Sequence, residues 1–212
     1  MKKFISLFLA IVMLAMLVGC NNVPSGGGDN KGDTPKAELS RGTIDGDVYT
    51  NEYLGFKFTK PESWVYSTDE EIAAALNVAV DTILGENFKD ALENNPSTYD
   101  MMVVDTLTRT NINVAYENLT KTFSSNITEK QYVEALKQQL SSVSGMTVTF
   151  PDEYETANLG DGEYTKVVCS ANAYGVSMTQ VYYLRKIDKY MAMVIATVPT
   201  GYTVAEIEAM FE

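Results

Sequence analysis

The chain has 212 residues, 16 basic and 28 acidic side chains and no histidine, for a net charge of −12. The lack of histidine excludes Ser-His-Asp and Cys-His catalysis and histidine-containing zinc sites, and two cysteines cannot build a thiolate cage. The acidic balance disfavours nucleic acid and anionic lipid headgroups as partners. Chemistry is left to carboxylates, Lys, Tyr, or Ser with Lys.

Met1-Lys2-Lys3 leads into an almost wholly apolar run, Phe4 to Val18. A positive start and about 15 apolar residues suit a secretory signal, whereas a membrane-spanning helix wants about 20. The run ends in Leu17-Val18-Gly19-Cys20. Small residues before a cut suit a peptidase that binds extended backbone, and the cysteine supplies a nucleophilic sulfur. These four residues resemble the lipobox of bacterial lipoproteins. The resemblance implies cleavage between Gly19 and Cys20, diacylglyceryl transfer to Cys20, and a protein held on the outer face of the bacterial cell membrane. Residues 1–19 are then a removed signal peptide, and losing Lys2 and Lys3 takes the net charge from −12 to −14. With Cys20 acylated, Cys169 is left alone and no intramolecular disulfide can form. Its alternating surroundings, TKVVCSANA, predict a buried, inert thiol.

Residues 20–47 are expected to be the lipidated cysteine and a flexible linker. Asn21 to Arg41 is rich in Gly, Pro, Asp and Asn, and as a random coil it would span roughly 25 Å. Residues 48–212 suit a single domain with a real core.

In chain order, Leu54, Phe56 and Phe58 alternate with Gly55, Lys57 and Thr59, which predicts a strand ended by Pro61. Trp64 is expected in the core. Thr68 and Glu71 form a capping box ahead of a helix whose apolar face carries Ile72, Leu76, Ala79, Val80 and Ile83. Asp100 to Leu119 reads as a hairpin turning at Thr106 to Asn111. Thr128 and Gln131 cap the next helix, with Ile127 and Tyr132 at the hydrophobic-staple positions and Val133, Leu136, Leu140 and Val143 as its buried stripe. The short strand MTVTF follows. EYTKVVCSANA, SMTQVYYLRK and KYMAMVIATV then form a meander, with turns near Tyr174-Gly175 and Ile187-Asp188. The last of these strands is apolar on both faces and should be central. Thr203 and Glu206 cap a closing helix, stapled by Tyr202 and Ile207, with Met210 and Phe211 packing. Strands that neighbour each other in sequence pair antiparallel, so the fold class is α+β with a central, mostly antiparallel sheet sandwiched by helices.

The stretch YLGFKFTKPESW, Tyr53 to Trp64, together with the meander and closing helix, resembles the PsbP-like family of extrinsic photosystem proteins and bacterial lipoproteins. That resemblance implies a binding or assembly module and no enzyme. Metal contacts proposed for the family's photosynthetic members use histidine in part, so no metal site is carried over and no cofactor is expected. The segment Glu70 to Leu92 looks like an insertion beyond the minimal fold.

Other site candidates have structural readings. Asp45, Asp47, Asn51 and Glu52 cluster oxygens as calcium sites do, but their spacing departs from an EF-hand loop, and a solvated entry loop is expected. Asp161-Gly162 suits a tight turn. Tyr116, Tyr182, Tyr183 and Tyr190 are expected as cross-strand packing, with a binding sheet face as the alternative. Asn118-Leu119-Thr120 and Asn126-Ile127-Thr128 match the glycosylation pattern by chance. The function expected is a membrane-anchored, non-catalytic binding or assembly module with an extracytoplasmic protein or small-molecule partner. A small-solute receptor and a carboxylate-based cell-wall hydrolase stay open as alternatives.

Overall fold

The computed structural model describes residues 38–76 and 88–212. Gly19, Cys20, the signal peptide, most of the predicted linker, and Ala79, Val80 and Ile83 lie outside the described residues.

Three short strands come first: β1 (Thr43–Asp45), β2 (Val48–Asn51) and β3 (Phe56–Thr59). They pair antiparallel in a small sheet of their own. Two expectations change here. Residues 43–45 of the predicted linker are a strand, and Leu54 lies in a turn rather than in the predicted strand. The turn forms because Gly55 adopts φ 77° and donates its N–H to the Asn51 carbonyl at 2.9 Å. Asn51 Oδ1 then accepts from the Leu54 N–H at 2.8 Å, a local bond that competes with strand pairing.

The remaining strands are β4 (Trp64–Tyr66), β5 (Ser97–Asp105), β6 (Asn111–Asn118), β7 (Met146–Thr149), β8 (Glu155–Leu159), β9 (Gly162–Ala173), β10 (Val176–Ile187) and β11 (Tyr190–Val198). They make an eight-stranded sheet ordered β4-β5-β6-β11-β10-β9-β7, with β8 also on β9. Every pairing is antiparallel. The outer edge of β9 is shared, β8 taking residues 162–166 and β7 taking residues 170–173. The predicted hairpin is β5–β6, and the predicted meander is β9–β10–β11. All residues of β11 are buried, as are all of β6 beside it, so the strand that reads apolar on both faces is central.

Among the described residues five helices accompany the sheet: α1 (Asp69–Leu76), α2 (Phe88–Asn94), α3 (Leu119–Thr122), α4 (Glu129–Ser141) and α5 (Val204–Glu208). On one face, Ile72 of α1 and Val133, Leu136 and Leu140 of α4 pack over Cys169, Tyr182, Leu184, Met193 and Ile195. On the other, Leu92 of α2 and Ile207 of α5 share the covering with Tyr49, Phe56 and Phe58 of the small sheet, over Val114, Tyr183, Val194 and Ala196. The class is the expected α+β arrangement, a central antiparallel sheet between helices. The second face adds a sheet to those helices.

Local capping follows the sequence. The Thr128 side chain accepts from the Gln131 N–H at 3.3 Å, and the Gln131 side chain accepts from the Thr128 N–H at 2.9 Å. Thr203 and Glu206 repeat this at α5. Residues 210–212 run along β3, with Lys57 and Glu212 exchanging backbone bonds at 2.8 Å each way. Phe211 lies 5.2 Å from Phe56 and 5.1 Å from Phe58, ring centre to ring centre. Gly160 turns at φ 56° against this corner, where a Cβ would meet the Gly55 carbonyl at 2.4 Å. No helix among the described residues is long and apolar enough to cross a membrane.

The burial pattern sets a test. Ile195 has no exposed surface, so Ile195→Ala should cost about 2–5 kcal/mol in urea unfolding. Leu107 is 80% exposed in the β5–β6 turn, and Leu107→Ala should stay within about 0.5 kcal/mol of wild type.

Candidate functional site

The most perturbed carboxyl beside a cleft belongs to Asp100, at an irregularity in β5. Pairing with β6 shifts register between Tyr99 and Met101. Tyr99 therefore packs in the core under α4, while Met101 packs in the core on the opposite face. A bulge of this kind re-aims the side chain at its centre. Asp100 is aimed at the small sheet and at the segment that precedes it.

Four groups meet its carboxylate. The Gly42 N–H lies 3.0 and 3.1 Å from its two oxygens. The Tyr49 hydroxyl and the Asn51 amide each donate to Oδ2 at 2.8 Å. Arg41 Nε sits 3.6 Å from Oδ1 as an ion pair, and Arg41 Nη2 donates to the Asp100 carbonyl at 3.1 Å. The same guanidinium grips Asp69 at the start of α1, Nη1 donating to Oδ2 at 2.9 Å and Nη2 to Oδ1. Asn51 also donates to the Tyr116 hydroxyl at 3.0 Å, which ties β6 into the network.

Burial pushes the Asp100 carboxyl up to about 6, against the lowering pull of the Gly42 N–H, Tyr49, Arg41 and Asn51. Burial likewise lifts the Tyr49 and Tyr116 hydroxyls well above the usual tyrosine range, with the Asp100 charge adding to it. The Asp69 hydrogen bond holds the Arg41 guanidinium above its ordinary value.

A cleft of about 400 Å³ opens beside this network, lined by Arg41, Gly42, Thr68, Asp69, Glu70 and Asp100 among others. A raised carboxyl at a cleft is a natural candidate for proton transfer. Geometry speaks against that use. The Asp100 side chain has no exposed surface, and its acceptor positions face donors from Gly42, Tyr49 and Asn51. What the cleft presents to solvent is the part-exposed Arg41–Asp69 pair. The arrangement fits a lock between layers.

Glu117 is a second buried acid. Tyr132 of α4 donates to its Oε2, and burial raises its carboxyl. This pair fixes α4 to β6 from the inner side of the helix.

The residues singled out in the sequence fall apart in space. Asp45 lies in β1, and Asp47 in the β1–β2 turn accepts from Lys60 Nζ at 2.6 Å. Asn51 is buried in the Asp100 network, and Glu52 is exposed in the β2–β3 turn. The expected solvated entry loop is thus a hairpin with one buried end, because Asn51 exchanges water for the Asp100 carboxylate. Among the described residues no group of three or more His, Cys, Asp or Glu is placed to hold a metal ion. Asp161 sits in the β8–β9 turn, its N–H donating to the Gly55 carbonyl at 2.8 Å. Tyr116, Tyr182, Tyr183 and Tyr190 are all buried, as cross-strand packing requires. Cys169 is a buried free thiol pushed up to about 12 by burial. Asn118 is buried, with Nδ2 donating to the Leu92 carbonyl at 3.0 Å and Oδ1 accepting from Thr120, so it offers no glycan acceptor. Of the segment Glu70 to Leu92, residues 77–87 lie outside the described residues.

No protein-family model matches the chain, and no curated protein matches it. Among solved structures it is similar to the solution structure of cyanobacterial PsbP (CyanoP) from Synechocystis sp. PCC 6803. Identity is 11% and the TM-score 0.47, over 86% of this chain and 98% of that one. The α+β class stands on the strand order and pairings of this chain itself.

Sequence reasoning passed over Asp100 because its partners lie 49 to 59 residues away. The available signal was a charged residue amid the apolar run Met101 to Val104, next to a Tyr, in a strand otherwise fit for burial.

Asp100 titration should be visible in stability. Its folded value lies above the ordinary 3.8, so the folded state holds a proton that the unfolded chain has released. Stability from this group is present below about 3.8, is lost as pH rises to about 6, and is level above that. Asp100→Asn removes the titration, and its NH2 group keeps no lone pair for the donors around it, at a cost of about 1–3 kcal/mol at pH 4. Chemical denaturation from pH 4 to 7.5 should show the gap between wild type and Asp100→Asn narrowing as pH rises. A constant gap would show that Asp100 titrates as an ordinary carboxylate.

Proposed function

We propose that the protein is a lipid-anchored extracytoplasmic lipoprotein whose PsbP-like α+β domain serves as a non-catalytic binding or assembly module. The observation that carries the anchor is Leu17-Val18-Gly19-Cys20, placed directly after a basic start and an apolar run too short for an ordinary span. A single acyl chain holds a protein to a bilayer only marginally, so a diacylglyceryl group on Cys20 suits permanent residence there.

The module reading is supported by how the reactive groups are used. Asp100 is enclosed by donors, Glu117 is buried against Tyr132, and Cys169 is a protonated core thiol at neutral pH. Each belongs to packing, with no open position for a reacting atom. The described chain enters the domain at Glu38 and Leu39, which line a cleft with Asp188 and Lys189 of the β10–β11 turn. A few residues later Arg41 and Gly42 are fastened to Asp100 and Asp69. A pull along the tether therefore meets a buried polar lock before it reaches the sheet.

The test is Cys20→Ala in a bacterial host. The variant should stay as an unprocessed precursor or leave the membrane fraction, and lose label from a fatty-acid probe. Unchanged size, label and fractionation would refute the anchor. Crosslinking of the anchored wild type on intact cells should recover a discrete partner, and release of products from purified cell wall would favour a hydrolase instead.

A further inference from the structure

We propose that the β7–β9–β10 corner of the main sheet is a binding site for a neutral oligosaccharide. This deepens the binding-module reading and rests on it.

The corner is a grid of uncharged polar side chains. Register places Thr147 opposite Asn172 and Asn172 opposite Ser177, and one step along, Thr149 opposite Ser170 and Ser170 opposite Thr179. Directly paired residues point to the same face, and so do residues two apart along a strand. The six therefore stand in two rows on one face of the sheet, at spacings of about 4.8 Å across strands and about 6.7 Å along them. They line a groove of about 440 Å³ together with Val198, which pairs with Thr179 on the same face, and Pro199. Asn172 Nδ2 donates to Ser177 Oγ at 3.1 Å, which fixes the amide. The hydroxyls of Thr147, Thr149, Ser170 and Thr179 make no hydrogen bond to protein among the described residues.

The chemistry of the lining selects the ligand. No ionised side chain lines the groove, although 21% of the chain is Asp, Glu, Lys or Arg. The clefts at Asp100 and at the chain entry are lined by several charged groups each. An anion would find no cation in this groove, and a cation no carboxylate. Hydroxyls and a carboxamide beside the apolar surface of Val198 and Pro199 match a sugar, which offers hydroxyls at its rim and C–H bonds on its faces.

A second observation concerns the turn that closes the β9–β10 hairpin at this corner. Tyr174 and Gly175 both have positive φ, 49° and 87°. Such a turn favours Asn-Gly, and a bulky residue there is a backbone outlier. Tyr174 is nonetheless 62% exposed. Its ring lies over Gly145, where a Cβ would come within 2.6 Å of it. Two positions are thus shaped to present one aromatic ring two residues from Asn172. An exposed ring held against backbone is a stacking platform for the C–H face of a sugar.

The corner also faces the right way. The chain enters beside the β10–β11 turn, whereas Val198 and Pro199 lie at the far end of β11. A strand of nine residues separates the two ends by about 30 Å. A domain tethered at its entry end carries this groove away from the membrane.

The experiment uses the full acylated protein in a sugar-free zwitterionic detergent. Maltotetraose, cellotetraose and chitotetraose are titrated by calorimetry and by saturation-transfer NMR. At least one should bind with Kd below about 1 mM, and Tyr174→Ala or Thr179→Val should each weaken it about tenfold. Both residues are surface-facing, so an unchanged thermal melt should accompany the loss, and Leu107→Ala should bind as wild type. Three results would overturn the site: no tetrasaccharide bound at about 10 mM, binding indifferent to both variants, or binding of anionic glycans alone. None of these bears on Cys20 acylation or on a crosslinked partner, so the site can fail while the module reading stands.

Discussion

The Asp100 carboxylate lies where separately encoded pieces of chain converge. The entry segment brings Arg41 and Gly42, the small sheet brings Tyr49 and Asn51, β6 brings Tyr116, and α1 joins through Asp69. A carboxylate withdrawn from water is costly unless donors replace its hydration. Here the entry segment and the small sheet supply them. If the small sheet slid or the entry segment peeled off, a buried charge would be left without partners. Apolar packing of Phe56, Phe58, Trp64 and Phe211 is non-directional and would tolerate several registers. The carboxylate is what makes one of them unique.

The main sheet shows how the same chain satisfies opposite demands. β6 and β11 are buried along their whole length because α4 covers one face and the small sheet with α5 covers the other. Going outward to β9 and β7, the second layer stops, and the strand faces turn to Thr, Ser and Asn. Threonine suits an uncovered strand because its branched Cβ packs on the pleat and its hydroxyl meets water. The absence of Lys and Glu from the groove lining is a separate choice, and it gives the corner a chemistry unlike the rest of an acidic surface.

Much of the fold could be read in one dimension. The capping boxes at Thr128 and Thr203 form as their spacing requires, since all the atoms involved lie within four residues. The β9–β10–β11 meander follows from alternation and turn residues, and β11 declares its centrality by being apolar on both faces. Less legible were β4 and β8, three and five residues long, whose pairing is decided by neighbours distant in sequence. Leu54 reads as a strand residue by alternation, but the Asn51 side chain captures its N–H and makes a turn. Asp100 showed only as a charge beside an apolar run, with nothing local to name its partners, because a bulge changes which face a residue meets without changing the sequence pattern around it.

By itself, then, the sequence determined the α+β class, the starts of α1, α4 and α5, the central strand, the buried thiol at Cys169, and the exclusion of histidine chemistry. It also carries the lipobox-like Leu17 to Cys20, because a signal of that kind is read along an extended chain and needs no fold. Only the tertiary structure decided that Asn51 and Asp100 meet, that residues 43–45 form a strand, and that Thr147, Asn172 and Ser177 share a row. Those facts depend on register and layer packing between segments tens of residues apart, which local propensity does not encode.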